Sequence, residues 1–185
     1  MTPILFNTDM VRAILAGRKT MTRRVSKAGI SAQPPYWPGD ILYVRETWRV
    51  QSARRFDADV RIEYKAGGEM VRIQFPGGGD QYHNRSEYDS FVRKWADDRW
   101  HPSIHMPRAA ARIFLRVTEV RAERLQEIDD DGVVAEGLEI GAPFEELWDK
   151  TIKLSDRTNY GWNANPWVWV VSFEQIKKPG NEELL

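Results

Sequence analysis

Gly17–Arg24 reads GRKTMTRR, and the rest of the chain is read outward from it. Eight residues set one lysine, three arginines and two threonines directly behind a short amphipathic segment. Crowded cations disfavour another positive charge, so Lys19 is a candidate base or nucleophile with a depressed pKa. The same cluster also reads as a phosphate-binding patch or as a solvated basic face. Upstream, Pro3–Phe6 reads as a short buried strand. Asn7 or Thr8 then caps a helix whose apolar positions Met10, Val11, Ile14 and Leu15 recur at helical spacing, and Gly17 supplies the left-handed stop.

The bulk composition narrows the classes. The chain has 185 residues, 27 Lys and Arg against 27 Asp and Glu, and no cysteine. That length suits one compact domain spanning 1–185 with a sizeable core. Zero formal charge excludes a polycation, so nucleic-acid contact has to come from local clusters such as GRKTMTRR. Without cysteine there are no disulfides, thiolate metal sites or cysteine nucleophile, which fits a cytoplasmic protein. No apolar run has the length of a membrane span or secretion signal, so no membrane partner is expected. Nothing in the pattern speaks to oligomeric state.

Downstream, Ser26–Asp40 is a proline-rich loop that ends in the turn sequence Trp-Pro-Gly-Asp. It launches a strand at Ile41–Val50, whose alternation puts Glu46 on the apolar side with Leu42, Val44 and Trp48. A carboxylate there needs a structural arginine or a ligand as partner. Arg61–Lys65 and Met70–Phe75 read as a hairpin about Ala66-Gly67-Gly68, followed by a PGGGD loop at 76–80 that matches no phosphate-binding motif. A short helix is expected at Tyr88–Trp95, then an irregular segment at Trp100–Pro107. Arg112–Val120 alternates as a strand. Asp129 caps a helix around Asp130–Glu136, closed by Gly137; another helix follows at Pro143–Lys150, and Trp167–Phe173 is an apolar strand.

Several chemistries find little support. His101 and His105 stand four apart, but Pro102 interrupts a helix there, so no metal site is expected, and His105 reads first as a satisfied structural histidine and next as a pocket hydrogen-bonding residue. No nucleophile-elbow sequence occurs. Glu136 is different: it ends a helix at the dipole's negative pole, where a carboxylate is disfavoured, a placement that suits a group handling protons, although by sequence statistics AEG reads as holding a solvent-facing glutamate.

Taken together, ILAGRKTMTRR, PGDILYV, RIFLRVTEVRAERLQEI, VVAEGL with FEELW, and WVWVVSFEQI resemble the ASCH domain family, related to the PUA-like RNA-binding fold. The blocks follow the family's order and cover both ends of the chain. Residues from about Arg49 to Pro107 (49–107) form an insertion like that of longer phage and prophage versions. The resemblance implies an α+β fold, a small, mostly antiparallel β-barrel of about six strands with flanking helices and a basic cleft. It implies RNA or a nucleoside or nucleotide as ligand, and no cofactor. In the small bacterial members that remove the acetyl group from N-acetylcytidine, a lysine, a threonine and a glutamate form the active site; they carry over as Lys19, Thr22 and Glu136, with Arg24 as a substrate-contacting arginine. Arg23, Arg45, Glu46, Trp48 and His105 complete the substrate-binding set, and Trp37, Trp48 and Trp100 are candidates to stack a base. Three readings stand: an amidohydrolase, a non-catalytic RNA- or DNA-binding module, and a nuclease for single-stranded RNA.

Overall fold

The computed structural model describes residues 1–79 and 85–180, with Ile30 described by its backbone alone. The expected 76–80 loop is therefore described as far as Gly79, and its last residue lies outside the described residues. In chain order the elements are β1 (Thr2–Leu5), α1 (Thr8–Leu15), β2 (Met21–Val25), β3 (Ile41–Arg45), β4 (Trp48–Arg54), β5 (Asp59–Tyr64) and β6 (Val71–Gln74). Then come α2 (Ser86–Trp95), β7 (Phe114–Arg124), α3 (Asp130–Ala135), α4 (Phe144–Thr151), α5 (Arg157–Tyr160) and β8 (Trp167–Ile176).

Local chemistry sets many of these boundaries. The Asn7 side chain accepts the Met10 backbone N–H at 2.9 Å, capping α1, and Gly17 ends the segment at φ +70°. Asp129 accepts from the Gly132 backbone N–H at 2.8 Å and caps α3. The expected continuous strand at Ile41–Val50 is instead two strands, β3 and β4, broken at Glu46 and Thr47.

The strands form two sheets: one of five with the order β1-β3-β7-β8-β2, and a meander of three with the order β4-β5-β6. The α+β class holds, but the expected barrel does not. Among the described residues the five-strand order is open, with β1 and β2 at its ends. Closure needs the terminal strands to share hydrogen bonds. Here β4, β5 and β6 pair antiparallel with one another through a tight turn and the Ala66–Met70 loop, so their ladders add nothing to the first sheet.

The chain divides into two compact units. The first comprises 1–2, 13–42 and 115–185, the second 3–12 and 43–114. The neutral total hides a difference between them: the first holds thirteen Lys and Arg against sixteen Asp and Glu, the second fourteen against eleven. In the first unit, β2 pairs antiparallel with β8, and Leu125, Val133, Phe144, Trp148, Val168 and Val170 form a core cluster under α3 and α4. In the second, Trp48, Val60, Ile62, Tyr64 and Met106 are buried. Among the described residues no helix is long and apolar enough to cross a membrane.

Candidate functional site

Lys19 and Glu136 meet in the first unit. A backbone bridge pairs the two residues, and the Thr20 N–H donates to the Ala135 carbonyl at 2.9 Å. Gly137 makes this approach possible. At φ +91° it turns the chain out of α3, and a Cβ there would lie 2.8 Å from the Ala13 Cβ and 2.9 Å from the Lys19 Cβ.

The Lys19 ammonium donates to Glu136 Oε2, to the Met21 carbonyl at 2.8 Å and to the Glu136 carbonyl at 3.1 Å. Its side chain is fully enclosed. Glu136 Oε1 accepts the Arg23 backbone N–H at 2.8 Å and lies 3.4 Å from Arg23 Nη1. β2 is an end strand, so the Met21 carbonyl and Arg23 N–H are groups that its ladder with β8 leaves over; the two side chains occupy them as a neighbouring strand would. The Arg23 guanidinium, itself buried, bonds Glu123 through Nε at 2.9 Å and Nη2 at 2.8 Å, and Arg121 Nε reaches the other Glu123 oxygen at 3.3 Å. Charges therefore alternate from Lys19 through Glu136, Arg23 and Glu123 to Arg121.

Burial pushes the Lys19 pKa down from its ordinary value; Glu136 opposes the shift, and Arg24 and Arg23 add to it. The dominant cause is thus loss of water rather than the cation crowding expected from the sequence. Arg24 is shifted down by burial too, against the opposing field of Tyr36 and Glu136. Thr22 is buried. On β2 its side chain alternates with those of Met21 and Arg23, which face the core cluster, so Thr22 and Arg24 share the opposite face.

Arg45, Glu46, Trp48 and His105 belong to the second unit, where other residues engage them. Glu46 found the structural arginine: Arg112 grips both its oxygens at 2.9 Å, lies over the Tyr64 ring at 3.9 Å and donates to the Glu69 carbonyl. Burial still raises the Glu46 pKa, with the Arg112 bonds working against it. Arg45 Nε donates to the Met106 carbonyl at 2.9 Å. Trp48 is no stacking platform, because its rings are enclosed by Phe91, Trp95 and His101. His105 packs against the Trp95 ring, and His101 Nε2 lies 3.0 Å from the Trp95 carbonyl and 3.1 Å from Asp97. Trp37 and Trp100 keep 58% and 37% of their surfaces exposed and can still meet a base. Sequence reasoning missed Glu123 and Arg112. Glu123 lies a hundred residues from Arg23 and Arg112 lies 66 from Glu46, and the block RIFLRVTEVRAERLQEI that holds both gives neither a role.

No protein-family model matches this chain, and no curated protein is similar to it. Among solved structures, a crystal structure of an Enterococcus faecalis protein assigned to DUF984 aligns with a TM-score of 0.46 and 12% identity. The alignment covers 90% of this chain and 66% of that one.

Proposed function

We propose that the chain is an ASCH-type amidohydrolase that removes the acyl group from an N-acetylcytidine-type nucleobase. The observation that carries this reading is the enclosed Lys19–Glu136 pair, whose ammonium burial makes readier to give up its proton, beside the strand that bears Thr22. A base and an acid already joined by one proton can exchange roles within a single reaction.

In this reading the shared proton first passes from the Lys19 ammonium to Glu136, leaving an amine and a carboxylic acid. Lys19 Nζ takes the Thr22 hydroxyl proton, and Oγ1 bonds to the acetyl carbonyl carbon. The carbon–nitrogen bond breaks as Glu136 delivers its proton to the departing cytosine amine. Water then attacks the acyl-threonine ester, giving its proton to Glu136, and the ammonium returns a proton to Thr22. Acetic acid leaves and the pair is restored. Arg24, on the Thr22 face of β2, is the candidate to steady the oxyanion.

The phosphate-gripping alternative draws less support. It needs Lys19 and Arg23 at the surface, yet their side chains are 0% and 1% exposed and bonded to carboxylates. Incubation with N-acetylcytidine tests the proposal. Wild type should release acetate, and Lys19→Met and Glu136→Gln, shown folded by near-UV circular dichroism, should lose at least about 10²-fold in kcat. No acetate from folded wild type between about pH 6 and 10 sinks it. Salt-sensitive RNA binding without turnover favours the binding module, and shortened RNA the nuclease.

A further inference from the structure

The second unit carries an arginine array on the outward face of its three-stranded sheet. The register sets Arg49 opposite Glu63, Ser52 opposite Arg61, Arg61 opposite Arg72, and Arg54 opposite Asp59. Their neighbours along the strands, Val50, Val60, Ile62 and Ile73, are buried, so alternation turns the four arginines outward.

These arginines are unevenly neutralised. The enclosed Asp59 carboxylate accepts from Arg54 Nε at 3.1 Å and Nη2 at 2.6 Å, and from Arg72 Nε at 2.6 Å. One carboxylate thus holds two guanidinium groups in place while about half of each arginine stays in water. Arg54 also reaches Asp57, and Arg49 pairs with Glu63. Arg61, exposed between them, has no acidic partner among the described residues and faces Arg72 directly. Like charges opposite one another across a ladder are destabilising unless an anion lies between them.

An aromatic surface adjoins the array. The Arg49 guanidinium lies 4.7 Å from the Trp100 ring, whose remaining surface is partly open. Cations on adjacent strands stand about 4.8 Å apart, and on one strand about 6.8 Å apart. A charged track beside an exposed indole matches a flexible phosphodiester chain with splayed bases better than it matches a rigid duplex. Ser52, in register with Arg61, offers a hydroxyl that donates and accepts, as a 2′-hydroxyl requires of its partner.

We infer that this sheet face binds single-stranded RNA, with Arg54, Arg61 and Arg72 on successive phosphates and Trp100 stacking a base. The inference stands apart from the hydrolytic reading, since it uses no residue of the Lys19 network.

Fluorescence anisotropy of the full chain with a labelled oligouridine of about 12 nucleotides tests it. Arg61 has no internal acid to orphan, so Arg61→Ala keeps the fold, and acetate release from free N-acetylcytidine, if wild type shows any, should not change. Its RNA affinity should fall about fivefold to tenfold, and the slope of log K against log salt should shrink by about 0.7. Arg61→Glu should lose more, and Trp100→Leu should lose affinity and the quenching of tryptophan emission. Four results each overturn the inference: no binding at about 50 mM salt, Arg61→Ala binding like wild type, oligothymidine or a duplex binding as tightly as oligouridine, or polyglutamate competing as well as RNA.

Discussion

The Glu136 carboxylate and the Arg23 backbone amide are joined by a 2.8 Å hydrogen bond that ties the end of α3 to the outer edge of β2. The same carboxylate holds the Lys19 ammonium, so its removal strands a buried cation and an edge N–H together. Glu136→Ala should cost about 3–5 kcal/mol in urea unfolding. Glu136→Gln, whose amide oxygen can still accept from Arg23, should cost clearly less. Equal losses would show that the carboxylate is not held as described.

Lys19 gives stability a pH signature. Its pKa is lowered in the fold, so between that value and about 10.4 the unfolded chain holds a proton that the folded chain has released. Stability therefore rises with pH across this window. Burial raises the Tyr36, Tyr64 and Tyr88 hydroxyls, which act oppositely above about pH 10, so the window is read below that point. Urea midpoints should climb on the alkaline side for wild type, and Lys19→Met should lack the increment. Parallel curves for the two proteins would contradict the buried cation.

Arg112→Met leaves Glu46 enclosed without its cation and should cost about 3–5 kcal/mol at neutral pH. Glu46 already has a raised pKa, so its folded form keeps a proton after the unfolded one has lost it, and its contribution falls as pH rises above about 4.3. Without Arg112 that window extends upward. The deficit of Arg112→Met should thus be smallest in acid and grow toward neutrality. Glu46→Gln in the same background should recover much of it, a comparison that urea titrations at about pH 4 and pH 7 decide.

Gly137→Ala tests the turn that delivers Glu136 to Lys19. A methyl there meets the Ala13 and Lys19 Cβ atoms below 3 Å and takes a backbone conformation that alanine resists. The loss should reach about 2–4 kcal/mol from strain and overpacking combined. A neutral thermal melt would mean that α3 does not end as described.

How much of this was legible in the sequence follows from how local each determinant is. The Asn7 and Asp129 caps and the Gly17 stop are read within a few residues, and each was. The hairpin from β5 to β6 was legible for the same reason, with Gly67 and Gly68 at positive φ in its loop. Alternation in β3 and β7 marks two-faced strands, but it carries no information about which strand lies alongside, so the expected barrel had no physical guarantee. Glu46 announced that it needed a partner, whereas choosing Arg112, 66 residues away, required the fold. Lys19 and Glu136 were brought together by resemblance alone. The edge groups they satisfy on β2 could not be seen before the strand order was known.

The unequal sharing of acids and bases between the two units has a practical consequence. A protein with no formal charge overall but three surplus cations in one unit and three surplus anions in the other behaves as a macroscopic zwitterion. Copies attract one another through opposite regions when counter-ions are scarce. Dialysis into dilute buffer near neutrality should therefore cloud the solution and modest salt should clear it, while both anion- and cation-exchange resins retain the protein weakly.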